Sequence, residues 1–492
     1  MTTLDGIKTH FGNPAKIAVP ALAALLALAG CSFGSSDPGT TSVGVAGFAK
    51  GVITAKGSIF VNGVEYETSA SEIMVDGVLV SGDSLLEVGM IVDLKGTIDP
   101  ATGKGIAEAV DYSSSIEGTV DAGSIDAIAG TFGVFGLLVQ TDAFTVFKGL
   151  PGLAGTLPLA DNDRVEVSGT LGVLADGVTK VIRASMIKRE NGSTEDFKVK
   201  GTVSALSGPS DGTFTLTLES GAVLSIAFAG TLDTAIAAGS YVKIEASSGP
   251  SGGVLSTSAD KIEAKEQHRL KAEHGDRAEA SGIVSGLAGT DPVTFTVDGI
   301  SVSASASLAA GVADGVKVEV KGTIENDVLI ATKVKVEQDA DREVQGVVTA
   351  VDTVALTVTI NGVPLKTVAE TIFEEDDGGA VVEFNSIDDL AVGDFIEAKT
   401  YEDSVTGDVI AVKIERKQAD ADNETKLKGI VETVDGTTVT IQGVALDLSA
   451  IIADADQRAA FLALLVPGET MVKLQGSVSG IVTTWTEIEI ED

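Results

Sequence analysis

The chain has 492 residues and carries a formal charge of −37, from 34 Lys and Arg set against 71 Asp and Glu. Such a surface repels phosphate backbones and anionic headgroups, which argues against nucleic-acid binding and against peripheral attachment to acidic lipid. Hydrophobic residues make up 44% of the chain, enough for packed cores, and the 57 Gly follow no collagen period.

The first thirty residues read as a leader. Lys8 and Lys16 precede an Ala- and Leu-rich run from Ile17 to Ala29 that is short for a membrane span and suits a signal-peptide core. The run ends Leu28-Ala29-Gly30-Cys31, and Cys31 is the only cysteine. An aliphatic residue, two small residues and a cysteine resemble the lipobox of bacterial lipoproteins. That resemblance implies cleavage between Gly30 and Cys31, lipidation of Cys31 and anchoring to a membrane without spanning it. Ser32 stands where such lipoproteins of the enteric type carry a retention Asp, which points to the outer membrane. A single thiol excludes an internal disulfide and a four-ligand zinc site. Residues 31–45, rich in Gly, Ser and Thr, form a tether.

Six repeats follow, with limits 46–114, 115–191, 195–266, 278–338, 342–417 and 425–492. Each opens on a strand with an internal glycine: Gly51, Gly118, Gly201, Gly282, Gly346 and Gly429. Tight hairpins follow at Asn62-Gly63, Asp298-Gly299, Asn361-Gly362 and Gln442-Gly443. Asn-Gly and Asp-Gly suit type I′ turns, in which both central residues need positive φ. The second and third units are blurred here, around Gly136 and Gly221. An alternating strand comes next, as in Val316, Val318 and Val320 against Lys317, Glu319 and Lys321, with one face buried and one wet. A final strand closes each unit, the last running from Ile481 to Ile490. Short strands with one apolar face bury it by closing into a barrel. In the sixth unit, residues 448–466 show helical spacing before Pro467-Gly468, between hairpin and alternating strand. That placement favours an OB-like topology. The expected fold is all-β: six tandem OB-like barrels of five to six strands, set in a row, with one helix in the last.

These glycine starts, hairpins and alternating strands resemble the bacterial lipoproteins of the "domain of unknown function 5666" family. The resemblance runs over nearly all of residues 46–492 and is strongest in the first, fourth, fifth and sixth units. It implies a cell-envelope location and no activity.

The chemistry points the same way. His10 lies in the leader and His268 and His274 in the linker before the fourth unit, so no repeat core holds a histidine for a nucleophilic triad. Carboxylates mostly take wet strand positions. The expectation is therefore a non-enzyme. Candidate Ca²⁺ ligands are Asp339 and Asp341 between the fourth and fifth units, and Asp420 and Asp422 between the fifth and sixth, where alternate carboxylates would stiffen a joint. The plainer reading of both is a solvated linker. His268 and His274 with Glu266, Glu273 and Asp276 lack a helix-face metal spacing, and Glu374 to Gly379 reads as an exposed acidic tip. Trp485, the one tryptophan, reads as core packing. Two functions are consistent with this: a structural or adhesive spacer, or a binding protein whose barrel faces capture an envelope oligosaccharide or a cationic peptide.

Overall fold

A computed structural model describes residues 7–9, 45–150, 157–174, 178–190, 196–265, 272–338, 340–375, 384–403, 406–417 and 424–491. The fold is all-β, a set of small curled or closed barrels. Unit 4 gives the simplest form, with strands Arg277–Ala288, Val293–Val297, Ile300–Ala304, Lys317–Glu325 and Val328–Val336. The first pairs the second, the second the third, the third runs parallel to the fifth, and the fifth and the first both flank the fourth. This 1-2-3-5-4-1 ring has no free edge, as the OB-like expectation requires. Unit 5 repeats the ring with Arg342–Asp352, Thr357–Ile360, Val363–Glu375, Phe395–Glu402 and Val409–Lys417. Units 1 and 2 close theirs through single bridges, Ile53 to Val61 and Val120 to Val134. In unit 3 a 3-10 turn at Ala259–Lys261 splits the fifth strand.

The motif residues have physical reasons. The hairpin pairs Asn62-Gly63, Asp298-Gly299, Asn361-Gly362 and Gln442-Gly443 all have positive φ, and so does Phe135-Gly136 in the second unit, whose sequence had hidden the turn. In every unit but the third the glycine of the first strand leaves room for that turn. A Cβ on Gly346 would lie 2.6 Å from Asn361 Oδ1, and one on Gly118 would lie 2.6 Å from the Phe135 ring. The glycine ending the alternating strand sits at a β-bulge. Side chains on Gly96, Gly169, Gly322 and Gly476 would strike the carbonyl oxygens of Ile106, Arg183, Ile330 and Thr484.

Unit 6 departs from the ring. Its strands are Glu424–Asp435, Thr438–Ile441, Val444–Asp447, Met471–Ser479 and Val482–Glu491. The helix is shorter than the sequence suggested, a 3-10 turn at Leu448–Ala450 and an α-helix at Ala455–Leu462 capped by Asp454. The third strand makes no pairing with the fifth. A short segment, Ile7–Thr9, runs parallel to the fifth strand with Ile7 opposite Ile488.

The barrels are not strung in a row. The first strand of unit 1, Val45–Val52, pairs in parallel with that of unit 4, Gly47 opposite Arg277 through Lys50 opposite Ala280. Units 2 and 3 meet through antiparallel first strands at Glu117 and Lys198, and units 5 and 6 at Glu343 to Gln345 against Lys428 to Lys426. Units 2 and 3 share one core and units 5 and 6 another, while the core of unit 1 takes in Val146 and Met186 of unit 2 and Ile372 of unit 5. Burial of these apolar faces, at roughly 25 cal/mol per Å², holds the pairs as one body. Among the described residues no helix is long and apolar enough to cross a membrane.

Candidate functional site

Folding unit 4 back onto unit 1 gathers units 1, 2, 4 and 5 around one cleft of about 100 Å³ that opens to solvent. Its walls are largely apolar: Val52 and Ile91 of unit 1, Ile283 of unit 4, Ile372 and Val412 of unit 5. Polar groups enter from the wet faces of alternating strands. Lys335 of unit 4 pairs with Glu370 of unit 5 at 3.0 Å and lies 3.6 Å from Glu337. Burial pulls its pKa down, but these two carboxylates outweigh burial and raise it. Glu319 is buried and bonded to Lys321 at 3.1 Å. Lys317 of unit 4 lies over the ring of Phe144 of unit 2, 4.2 Å from its centroid. Arg183 of unit 2 reaches Val173 O with Nη2 at 3.4 Å, while its Nε is buried without a partner.

A second cluster joins units 1, 2 and 3. Carboxylate oxygens of Asp76, Glu117 and Glu166 all lie within 4.8 Å of one another. Lys198 Nζ bridges Asp76 at 2.8 Å and Glu117 at 2.5 Å, so an ammonium already supplies the cation there. Tyr112 donates to Glu166 at 2.5 Å and Ser114 to Glu117 at 3.1 Å. Burial pushes the Glu117 carboxyl up to about 7 against the pull of Lys198, with Glu166 and Asp76 adding to the rise.

The sequence candidates fall elsewhere. Gly30, Cys31, Asp339, Asp420, Asp422, Glu266 and His268 lie outside the described residues, and Asp341 is exposed just before the first strand of unit 5. His274 is exposed in a turn. Glu374 is not part of an exposed tip. It is buried between units 5 and 2, bonded to Lys413 at 2.6 Å and accepting from Phe147 N at 3.0 Å, while residues 376–379 of that segment lie outside the described residues. Trp485 packs against the shared core of units 5 and 6. Neither cluster was singled out from the sequence. A signal was present: the residue before each first-strand glycine is polar, namely Lys50, Glu117, Lys200, Ser281, Gln345 and Lys428. Five of them bond a partner barrel, Lys200 through Nζ to Ser113 O of unit 1 at 3.4 Å. Lys50 pairs with Asp298 at 2.9 Å, Glu117 with Lys198, Ser281 with Asn62 at 3.0 Å, and Gln345 with Glu424 O at 2.8 Å.

Units 2 and 5 are also where comparison with known proteins succeeds. The model of a domain of unknown function, DUF5666, matches residues 117–187 and 345–415. The chain carries repeats of this family. The DUF5666 matches run from the residue just before each first-strand glycine into the last strand, and so span the ring of each barrel. Unit 2 is matched although its hairpin lacks the Asn-Gly or Asp-Gly pair, which fits the same turn being formed there by Phe135-Gly136. No curated protein matches the chain.

Proposed function

We propose that the chain is a non-enzymatic cell-envelope lipoprotein, anchored through Cys31 to the outer membrane, whose DUF5666 barrels form a compact ligand-binding body. The observation that carries the reading is the parallel pairing of units 1 and 4, which turns the array back on itself and makes a cleft from four barrels. Ligand sites favour such junctions between domains. A spacer with its barrels in line would need that shared sheet to open. The lipid anchor rests on Leu28-Ala29-Gly30-Cys31 and the leader before it. Cleavage there would also remove Ile7–Thr9 and free the edge of the last strand of unit 6.

Small-angle scattering separates the two shapes. A compact body of this length has a radius of gyration of about 23 Å. Six barrels in line, each roughly 25 Å across from strands of about eight residues, would give about 43 Å. A value near the larger figure overturns the compact body. For the anchor, detergent phase partitioning of the chain expressed in a bacterial host should place it in the detergent phase, and Cys31→Ala should move it to the aqueous phase.

A further inference from the structure

Basic groups are scarce in this chain, 34 against 71 acids, so a cation without a carboxylate needs a reason. The acids lining the cleft are already engaged. Glu319 bonds Lys321, Glu337 and Glu370 hold Lys335, and Asp142 accepts from Phe144 N at 2.8 Å. Two cations of the same cleft, Arg183 and Lys317, have no ion pair among the described residues. Arg183 keeps Nε buried and unbonded, and a guanidinium with unused donors is costly away from water. Arg183 and Lys317 are thus the cations of the cleft that no carboxylate holds, although its lining carries four acids against three bases.

We infer that the cleft binds a small organic carboxylate with an apolar body, its anion held by Arg183 and Lys317 and its body against Ile91, Ile283 and Ile372. The inference rests on the ligand-binding reading above. Charge-assisted bonds to a carboxylate fix orientation, and an apolar wall supplies contact area. The protein's acidic field draws cations to its outer surface. A cationic peptide, one of the ligands the sequence suggested, would meet Arg183 and Lys317 here instead.

The test uses three probes of one length: hexanoate, hexanol and hexylamine. Each is titrated into the full chain carrying Cys31→Ala, which keeps every barrel, with saturation-transfer NMR as the readout. Hexanoate should saturate one site, with hexanol and hexylamine at least tenfold weaker. Arg183→Gln and Lys317→Gln should each weaken hexanoate about tenfold, the loss of one charge-assisted bond. Lys95→Gln, a solvent-facing change paired only with Glu108, should leave it unaltered. Unchanged scattering and Trp485 emission establish that the variants are folded, and Lys317→Gln, on a half-buried side chain, keeps the test alive if Arg183→Gln does not fold. Hexylamine or hexanol binding as well as hexanoate, or hexanoate indifferent to both substitutions, overturns the carboxylate assignment and leaves the binding body standing. No binding by any of the three, in a particle that scatters as compact, overturns both.

Discussion

Units 5 and 6 carry the same motifs, pair through their first strands and share a core, yet they close in different ways. In unit 5 the third strand is long, Val363–Glu375, and runs beside the fifth in two stretches, Leu365 to Thr367 and Ile372 to Glu375. Its far end also reaches unit 2, where buried Lys413 bonds Glu374 at 2.6 Å and Thr145 O at 2.8 Å. In unit 6 the third strand stops after four residues, Val444–Asp447, and the helix takes over. Phe461 and Leu465, with Ile452 before the helix, are buried against the core. The motif residues therefore determine the hairpin and the first, fourth and fifth strands. Whether the ring closes by backbone ladder or by side chains depends on the segment between the third and fourth strands, where the motifs are silent.

Four experiments sharpen this comparison. The largest effect is expected from Lys413→Met. It strands Glu374 in a buried contact, at about 3–5 kcal/mol. Hydrogen exchange should rise at residues 145–148 and 372–375 and not in the helix of unit 6. Protection left intact would mean that apolar contact alone joins units 2 and 5. Phe461→Ala should cost about 3–4 kcal/mol in the unfolding transition seen by Trp485, the sole tryptophan, which lies in unit 6. A loss under about 1 kcal/mol would show the helix to be an ornament rather than the closure.

Gly476→Thr asks whether the two bulges are interchangeable. Unit 5 holds Thr400 at its register shift, whereas in unit 6 an added Cβ would collide with Thr484 O and lie 2.9 Å from Trp485 Cα. The expected cost is about 1–3 kcal/mol on the Trp485 transition in urea, and Thr400→Gly should not repair it. The smallest effect concerns acid. Burial raises the Glu491 carboxyl, but Lys428 and Lys473 outweigh burial and hold it below its ordinary value. Its stabilisation is complete above the ordinary carboxylate range and is lost as the pH falls below it. Because Glu491 is partly exposed, the loss in unit 6 should be only a few tenths of a kcal/mol, and Glu491→Gln should abolish it. In unit 5 the shifts oppose each other: Lys399 and Lys417 overcome burial at Glu397 and lower it, whereas burial dominates at Glu415 and raises it. Its acid response, followed by hydrogen exchange at Ile396 and Ala398, should be flatter.

Much of the fold was legible because it is local. The hairpin dipeptides, the first-strand glycines, the alternation of Val316 to Lys321 and the stop at Pro467-Gly468 each act within a few residues of themselves. The pairing of units 1 and 4 was not legible, since a strand edge that seeks another carries no period of its own. For the same reason Lys317 and Glu319 looked solvated when they face a neighbouring barrel. Glu374 looked like part of an exposed tip because its partner, Lys413, and its donor, Phe147 N, come from other strands and another unit. The cleft has no motif. It arises where polar positions from four barrels are brought together by packing, and of the polar residues before the first-strand glycines only Ser281 lines it.

The pairing of Val45–Val52 with a strand some 230 residues further on also imposes an order on assembly. Units 2 and 3, and units 5 and 6, find their partners in the next stretch of chain to be made. Unit 1 must wait. Some 230 residues of chain must become available for folding between the first strand of that pair and the second. Throughout that interval the first barrel presents a bare strand edge, a template for any extended segment nearby. The contact that creates the cleft is thus also the step at which a newly made chain is most open to joining the wrong neighbour.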